Sequence, residues 1–369
     1  MRHAAPLDQP FSLYLDLVRI GAALAVVVAH FGYFHIFDAQ QTAALPDFGR
    51  EAVIAFFVLS GFVIAYSGET KNPTLAGYVV ARCARLYSVV LPVLLLAFLL
   101  APITAALSEM PVDAGYQVDK PWAYLPFHLL FLGEAWTFVE HPPWLLPYWS
   151  LDYEAWYYVL FGVACYLRGR RRLVALAAVL ALVGPRLWLL LPIWLSGVWL
   201  YRWQKAHTLP AGVARIGWLL SVAAIALWGW FDPEPYLRTL AHAAWPLPGI
   251  RMGSADRVLA DYPVALMVLV NFACARHAGF HALVRVASAI RRLSAHTFTL
   301  YLGHALVIGV WLDLVPVQRG HWVDITAVAV AIGVVTVCLQ PLTEALQRAL
   351  HGRLSALFGA MGRTLRPAP

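Results

Sequence analysis

Apolar residues run through this chain in long blocks, broken by short clusters of Arg, Pro, Gly and Asp. Ten blocks are long enough to predict membrane-spanning helices: residues 12–36, 48–67, 86–105, 149–167, 172–185, 187–204, 216–231, 258–275, 294–313 and 322–345. The fifth is short, and Gly184-Pro185-Arg186 separates it from the sixth, so these two predict a tight helical hairpin. Two stretches interrupt the pattern. Residues 106–147 are rich in Pro, Trp and His and are expected to fold over the bundle, and residues 232–257 form a second polar loop. No internal repeat is visible. The predicted fold is an all-α integral membrane protein, a bundle of about ten transmembrane helices.

Composition fits a bilayer. The chain is 61% hydrophobic and only 13% charged, whereas soluble domains carry about 25% charged residues. Its 15 Trp and 16 Tyr suffice for aromatic belts at both interfaces. The first block contains Arg19 and lacks a small-residue cleavage site, which argues against a secretory signal peptide.

Lys and Arg set the orientation. With the N-terminus in the cytoplasm, the clusters Arg82/Arg85, Arg168 to Arg172, Arg202/Lys205, Arg285/Arg291/Arg292 and Arg348/Arg353 all fall inside, and few basic residues fall outside. Both termini are therefore predicted to be cytoplasmic. Residues 1–345 form the membrane domain, and 346–369 a basic tail able to lie on the cytoplasmic leaflet. The net charge of +7 is accounted for by this asymmetry and by attraction to anionic membrane lipid, with no nucleic-acid partner. Cys83, Cys165, Cys274 and Cys338 are scattered without ligand spacing, so neither a disulfide framework nor a metal site is expected.

Polar residues inside the apolar blocks are costly and usually face a bundle interior or a wet cavity. Arg19 and His30 are eleven residues apart on one helical face, about 16 Å along the axis. Ser60 precedes Gly61 in the second block; the pair reads equally well as a small-residue helix contact. Arg82 and Arg85 share a face at the inner surface, as phosphate ligands or as positive-inside anchors. Ser150 and Glu154 lie four apart near the outer end of the fourth block, with Glu154 at a depth similar to His30. Tyr301 and His304 lie three apart in the ninth block, where His304 reads equally as a hydrogen-bonded core residue. The aromatic residues Trp149, Tyr153, Trp156 and Tyr157 read as an interface belt.

These parts suggest acyl transfer. A histidine and a carboxylate at one depth can act as general base and orienter. Arginines at the inner face match phosphate oxygens.

The same residues, in this order, resemble acyltransferase family 3, membrane-bound acyl-CoA-dependent O-acyltransferases of bacteria. The marks are Arg19-x10-His30, FFVLSGF at 56–62, Arg82-x-x-Arg85, WSLDYE at 149–154 and YLGH at 301–304, and they span nearly the whole chain. The resemblance implies His30 as the catalytic histidine and Arg19, Arg82 and Arg85 as donor-binding residues. Ser60 is then expected beside the donor, Glu154 to assist His30, and Ser150, Tyr301 and His304 to line the substrate path. The donor would be acetyl-CoA or another acyl-CoA. The acceptor would be a hydroxyl of a glycan or glycolipid beyond the bacterial cytoplasmic (inner) membrane. One position departs from the family pattern. Many members carry Asp two residues before the Phe-Phe of the second block, where this chain has Ile54. From another class, a multi-pass transporter or flippase of a lipid-linked sugar or acyl group is the alternative, disfavoured by the lack of repeated halves. A non-catalytic partner in polysaccharide export would leave His30 without a task.

Overall fold

The computed structural model describes residues 7–108 and 115–364. Its helices are α1 (Gln9–Tyr33), α2 (Ala39–Ala44), α3 (Gly49–Thr70), α4 (Leu75–Leu107), α5 (Gly115–Val118), α6 (Pro121–Leu129), α7 (Trp149–Tyr166), α8 (Gly169–Val183), α9 (Pro185–Ala206), α10 (Ala211–Phe231), α11 (Glu234–Ala244), α12 (Val258–Ala278), α13 (Ala287–Leu314) and α14 (Trp322–Thr364). There is no strand among the described residues.

Every predicted block is helical, but not every helix is long and apolar enough to cross a bilayer. Seven are: α1, α3, α4, α10, α12, α13 and α14, with the α8–α9 pair a possible eighth. The expected count of ten fails at two places. Gly184, at φ +82°, stops α8, and Pro185 starts α9 with a ring already set for helix. The two helices meet at a bend of 119°, so α9 turns back along α8 without lying antiparallel to it. Helix α7 has only 18 residues, and Asp152 and Glu154 dilute its apolar character.

Helix α3 sits at the centre. It packs so closely on α9 that a Cβ on Gly61 would lie 2.0 Å from the carbonyl oxygen of Trp194, and one on Gly197 1.9 Å from that of Val58. Small residues on both sides let the two backbones touch. Helix α13 packs on α1, α4 and α14. Helix α14 runs unbroken past residue 345, so the basic tail begins as a continuation of the last span and not as a separate element. The sequence QRALHGRLSALF offers no proline there to stop it.

The cover predicted for 106–147 is present in its described part, from 115 onward. His128 is buried and its Nε2 lies 2.8 Å from Gln117 Oε1; its carbonyl accepts from the Tyr148 hydroxyl at 2.7 Å. Tyr87 of α4 donates to the Leu129 carbonyl at 2.8 Å, so the segment dips toward the middle of that helix. Burial pushes the His128 imidazole down to about 3. Farther along the cover, Glu134 accepts from Ser254 Oγ at 2.9 Å and faces Arg186 at 3.9 Å. Burial raises its carboxyl above the ordinary range, against the pull of those partners.

Candidate functional site

Two cavities meet inside the bundle. The inner one is lined by Arg19 of α1, Ser60 of α3, Arg82 and Arg85 of α4, Ser150 and Glu154 of α7, and Tyr301 of α13. Seven of the nine residues singled out in the sequence thus surround one space. The outer cavity, of about 640 Å³, is lined by His30 and Tyr33 of α1, Arg50 and Val53 of α3, Trp149, Arg238 and His242 of α11, and residues between Trp245 and Arg257. Its wall includes Val139, Leu146 and Pro147, so both polar stretches noted in the sequence shape it. Val53 and Tyr301 line both cavities and form the partition between them.

In the inner cavity Glu154 is the hub. Ser60 Oγ donates to its Oε1 at 2.5 Å, and the Tyr158 hydroxyl, one turn along α7, donates to the same oxygen. Trp194 Nε1 donates to Ser60 Oγ at 3.1 Å. Neighbouring α3 positions therefore divide the two readings of Ser60-Gly61: Gly61 makes the helix contact, while Ser60 turns a hydroxyl to the cavity. The Arg82 guanidinium lies 5.9 Å from the centre of the Tyr158 ring. Neither Arg82 nor Arg85 forms an ion pair among the described residues, and Arg82 Nε is buried without a partner. Two cations side by side, neither of them ion-paired, are poised for an anion.

Arg19 differs from these two. It pairs with Asp16 at 3.2 Å, and Asp16 also holds Arg291 at 3.2 Å and Ser294 Oγ at 3.0 Å. This cluster opens a third, polar cavity of about 270 Å³, in which Arg19 and Arg85 meet Arg291, Gln340 and Glu344. Arg19 and Arg85 line both this vestibule and the inner cavity. Asp16 and Arg291 were not singled out in the sequence. Asp16 sits on the first block three residues before Arg19, the helical spacing that could have flagged it.

The expected partnership of Glu154 with His30 does not form. The two line different cavities, and the Tyr301 hydroxyl, 2.7 Å from Ser150 Oγ, stands at the partition. Similar depth estimated by counting turns did not specify which side of that partition each helix presents. His30 is instead anchored through Nδ1 to the Val26 carbonyl at 2.7 Å. Its ring stacks on Phe34, with centres 5.9 Å apart, and meets the ring of His304 at 4.9 Å. His304 is fully buried and lines neither cavity, so its expected place on the substrate path is not where it lies.

Arg50 also escaped the sequence reading. It donates to Asp261 through Nε at 2.9 Å and Nη2 at 2.6 Å, and sits 4.6 Å from the Trp149 ring. This fork ties α3 to α12 beside the outer cavity. The four cysteines are free, and no three His, Cys, Asp or Glu side chains converge as metal ligands among the described residues.

A family model described as an acyltransferase domain matches residues 12–342. The match starts within α1, ahead of Asp16 and Arg19, and ends within α14 at residue 342, so it takes in the inner and outer cavities and all of the vestibule except its α14 residues from 343 onward. No match to the chain was found among curated proteins or solved structures.

Proposed function

The chain belongs to this acyltransferase family, and on that premise we propose that it transfers an acyl group, most simply acetyl, from cytoplasmic acyl-CoA to a hydroxyl of an extracytoplasmic glycan or glycolipid. The protein would sit in a bacterial inner membrane with both termini in the cytoplasm. One observation carries this reading. The unpaired Arg82 and Arg85 border an inner cavity that shares Val53 and Tyr301 on its wall with the cavity holding His30.

In this reading the phosphates of the donor rest on Arg82 and Arg85, near the vestibule where Arg19 and Arg291 hold Asp16. A guanidinium fork suits phosphate oxygens better than an ammonium does. The pantetheine arm runs outward past Ser60 and Glu154, whose oxygens can accept from its amide N–H groups. The axial distance from Arg19 to His30, about 16 Å, is comparable to the reach of that arm. Passage requires Tyr301 to release Ser150 and swing aside.

His30 then serves as general base. Its Nδ1 donates to the Val26 carbonyl, which leaves the Nε2 lone pair free. That nitrogen takes the proton of the acceptor hydroxyl as the oxygen attacks the thioester carbonyl. The C–S bond breaks, the CoA thiolate leaves, and the proton passes from His30 to the thiolate. Aromatic side chains around the outer cavity, Tyr33, Trp149 and Trp245, offer apolar faces to a sugar ring.

The test is sidedness. Sealed right-side-out membrane vesicles holding the protein are loaded with labelled acetyl-CoA, and the glycan and glycolipid fractions are collected. Label should appear as esters that an added, non-permeant esterase removes from outside. Transfer only when donor and acceptor share one side would refute the threaded path, and no transfer by any arrangement would refute the enzyme.

A further inference from the structure

His30 serves one half of an acyl transfer, the proton. The other half is charge. When a hydroxyl attacks a thioester, the carbonyl oxygen becomes an oxyanion, and fixed N–H donors aimed at that oxygen are usually the largest aid to the reaction.

Four arginines line the outer cavity, and one differs from the rest. Arg238 and Arg257 are 46% and 34% exposed and pair with Asp256 at 2.5 Å and Glu234 at 3.4 Å. Arg251 is exposed. His242, on the same wall, is 54% exposed and stands 3.8 Å from Asp256. These groups belong to the solvent rim. The Arg50 side chain is only 12% exposed, and it lies on α3 three residues before Val53, at the wall shared with the inner cavity.

The Arg50 guanidinium is held rigidly. Nε donates to Asp261 Oδ1 at 2.9 Å, and Nη2 donates to Asp261 Oδ2 at 2.6 Å and to the Ser254 carbonyl at 2.8 Å. The Trp149 ring covers it, with its centre 4.6 Å away. A guanidinium has five N–H donors, and these bonds occupy the three on Nε and Nη2. Nη1 has no hydrogen-bond partner among the described residues, and it is not sealed inside the protein. Its two N–H groups therefore open to the cavity that Arg50 lines.

The helix packing sets Arg50 close to His30. Helices α1 and α3 approach so tightly that a Cβ on Gly49 would lie 2.6 Å from that of Ala29. His30 and Arg50 are the next residue on each helix, and both line the outer cavity.

We propose that Arg50 is the oxyanion donor of the transfer: its two Nη1 N–H groups hold the thioester carbonyl oxygen while the acceptor attacks. This rests on the threaded donor and on His30 as general base. The acceptor hydroxyl gives its proton to His30 Nε2 as its oxygen bonds to the carbonyl carbon. The π pair of the carbonyl moves onto the oxygen that Nη1 holds. That pair then returns, the C–S bond breaks, and the thiolate takes the proton from His30. Asp261 stays paired behind the guanidinium throughout, so the donor is in place before charge develops and nothing has to reorganise.

The experiment uses the full chain in lipid nanodiscs and acetyl-CoA labelled with carbon-13 at its carbonyl. Infrared spectra of the donor bound to His30→Ala read the contact without turnover. The carbonyl stretch should lie below its frequency for acetyl-CoA in water, and adding Arg50→Lys should return it there. Lysine can still pair with Asp261 but has no second fork. Transfer from saturating acetyl-CoA in sealed right-side-out vesicles gives the second reading. Two variants are compared: Arg50→Lys, and Arg50→Met combined with Asp261→Leu, which strands neither charge. Each should lose about 10²- to 10³-fold in rate, with calorimetry showing acetyl-CoA affinity unchanged. A bound carbonyl stretch equal to that in water overturns the inference, and this reading needs no Arg50 variant to fold. Wild-type transfer by either Arg50 variant overturns it as well. If His30→Ala keeps full transfer, or if acetyl-CoA does not bind, the proposed function fails and the inference falls with it. If His30→Ala binds donor and abolishes transfer while Arg50→Lys behaves as wild type, the inference alone fails.

Discussion

Removing Arg82 or Arg85 should cost donor affinity and little else. The structure makes this separable because neither guanidinium pairs with a carboxylate, so truncation strands no buried anion. Arg50 is the contrast. Its partner Asp261 is 1% exposed, and losing one half of a buried pair costs about 3–5 kcal/mol in stability. A charge-assisted hydrogen bond is worth about 1.5–3 kcal/mol, and each 1.4 kcal/mol is about tenfold in Kd. Arg82→Ala or Arg85→Ala should therefore weaken acetyl-CoA binding by roughly 10- to 100-fold, with an unchanged melting temperature in detergent. Titration calorimetry with acetyl-CoA and with its dephospho form, which lacks the 3′-phosphate, distinguishes the contacts. An arginine on the 3′-phosphate should lose affinity for the first and not the second. Lysine should restore only part of it, since it lacks the planar fork. Equal losses for both ligands at both positions would refute a 3′-phosphate site and leave the diphosphate as the contact, and unchanged affinity in both variants would return these residues to anchors at the membrane surface.

Three further outcomes follow from other parts of the molecule. His30→Ala should lower transfer by about 10²- to 10⁴-fold, the usual loss for a general base, while calorimetry shows donor binding intact; near-normal turnover would remove His30 from the chemistry. Gly61→Ala should lower the melting temperature sharply, because the new methyl would lie 2.0 Å from a backbone oxygen of α9, whereas Gly333→Ala meets open space and should be neutral. His128 is held neutral in the folded protein down to about pH 3. Below its ordinary value near 6.5 the unfolded chain takes up a proton that the folded chain refuses. Stability should thus fall by up to about 1.4 kcal/mol for each pH unit below that point. His128→Asn should flatten that acid-side slope in a pH series of thermal melts, and an identical slope would show that the imidazole is not the group responsible.

Helical blocks and the residues of the inner cavity could be read from the sequence because both depend on short-range rules. Apolar runs locate spans, and polar residues in those runs cannot face lipid. Arg19, Ser60, Arg82, Arg85, Ser150, Glu154 and Tyr301 converge for that reason. What could not be read depends on how helices rotate against one another. Depth along the membrane placed Glu154 level with His30, yet the face each helix presents put them in different cavities. His304 had two readings in the sequence, and the structure supports neither in full: it is a core histidine, but with one nitrogen unpaired. Asp16 with Arg291, and Arg50 with Asp261, pair across as many as 275 residues, which no local pattern contains. The bend at Gly184 was foreshadowed by its residues, but not its contacts: Trp136 of the cover donates to the Ala181 carbonyl before it, and Tyr157 of α7 to the Leu187 carbonyl after it.

The wall at Val53 and Tyr301, between two cavities that each carry charged side chains, also has an electrical consequence. If water fills both cavities, the membrane voltage no longer falls evenly over some 30 Å of hydrocarbon. It concentrates across the thin layer at Tyr301. A full membrane voltage is worth about 2.3 kcal/mol per unit charge for each 100 mV. An uncharged acetyl thioester passing Tyr301 does no work against that field. An acyl group ending in a carboxylate would couple its passage to the voltage and would shed its hydration at the narrowest point. On the proposed threaded path the partition would thereby select among acyl groups by charge before any of them reached His30.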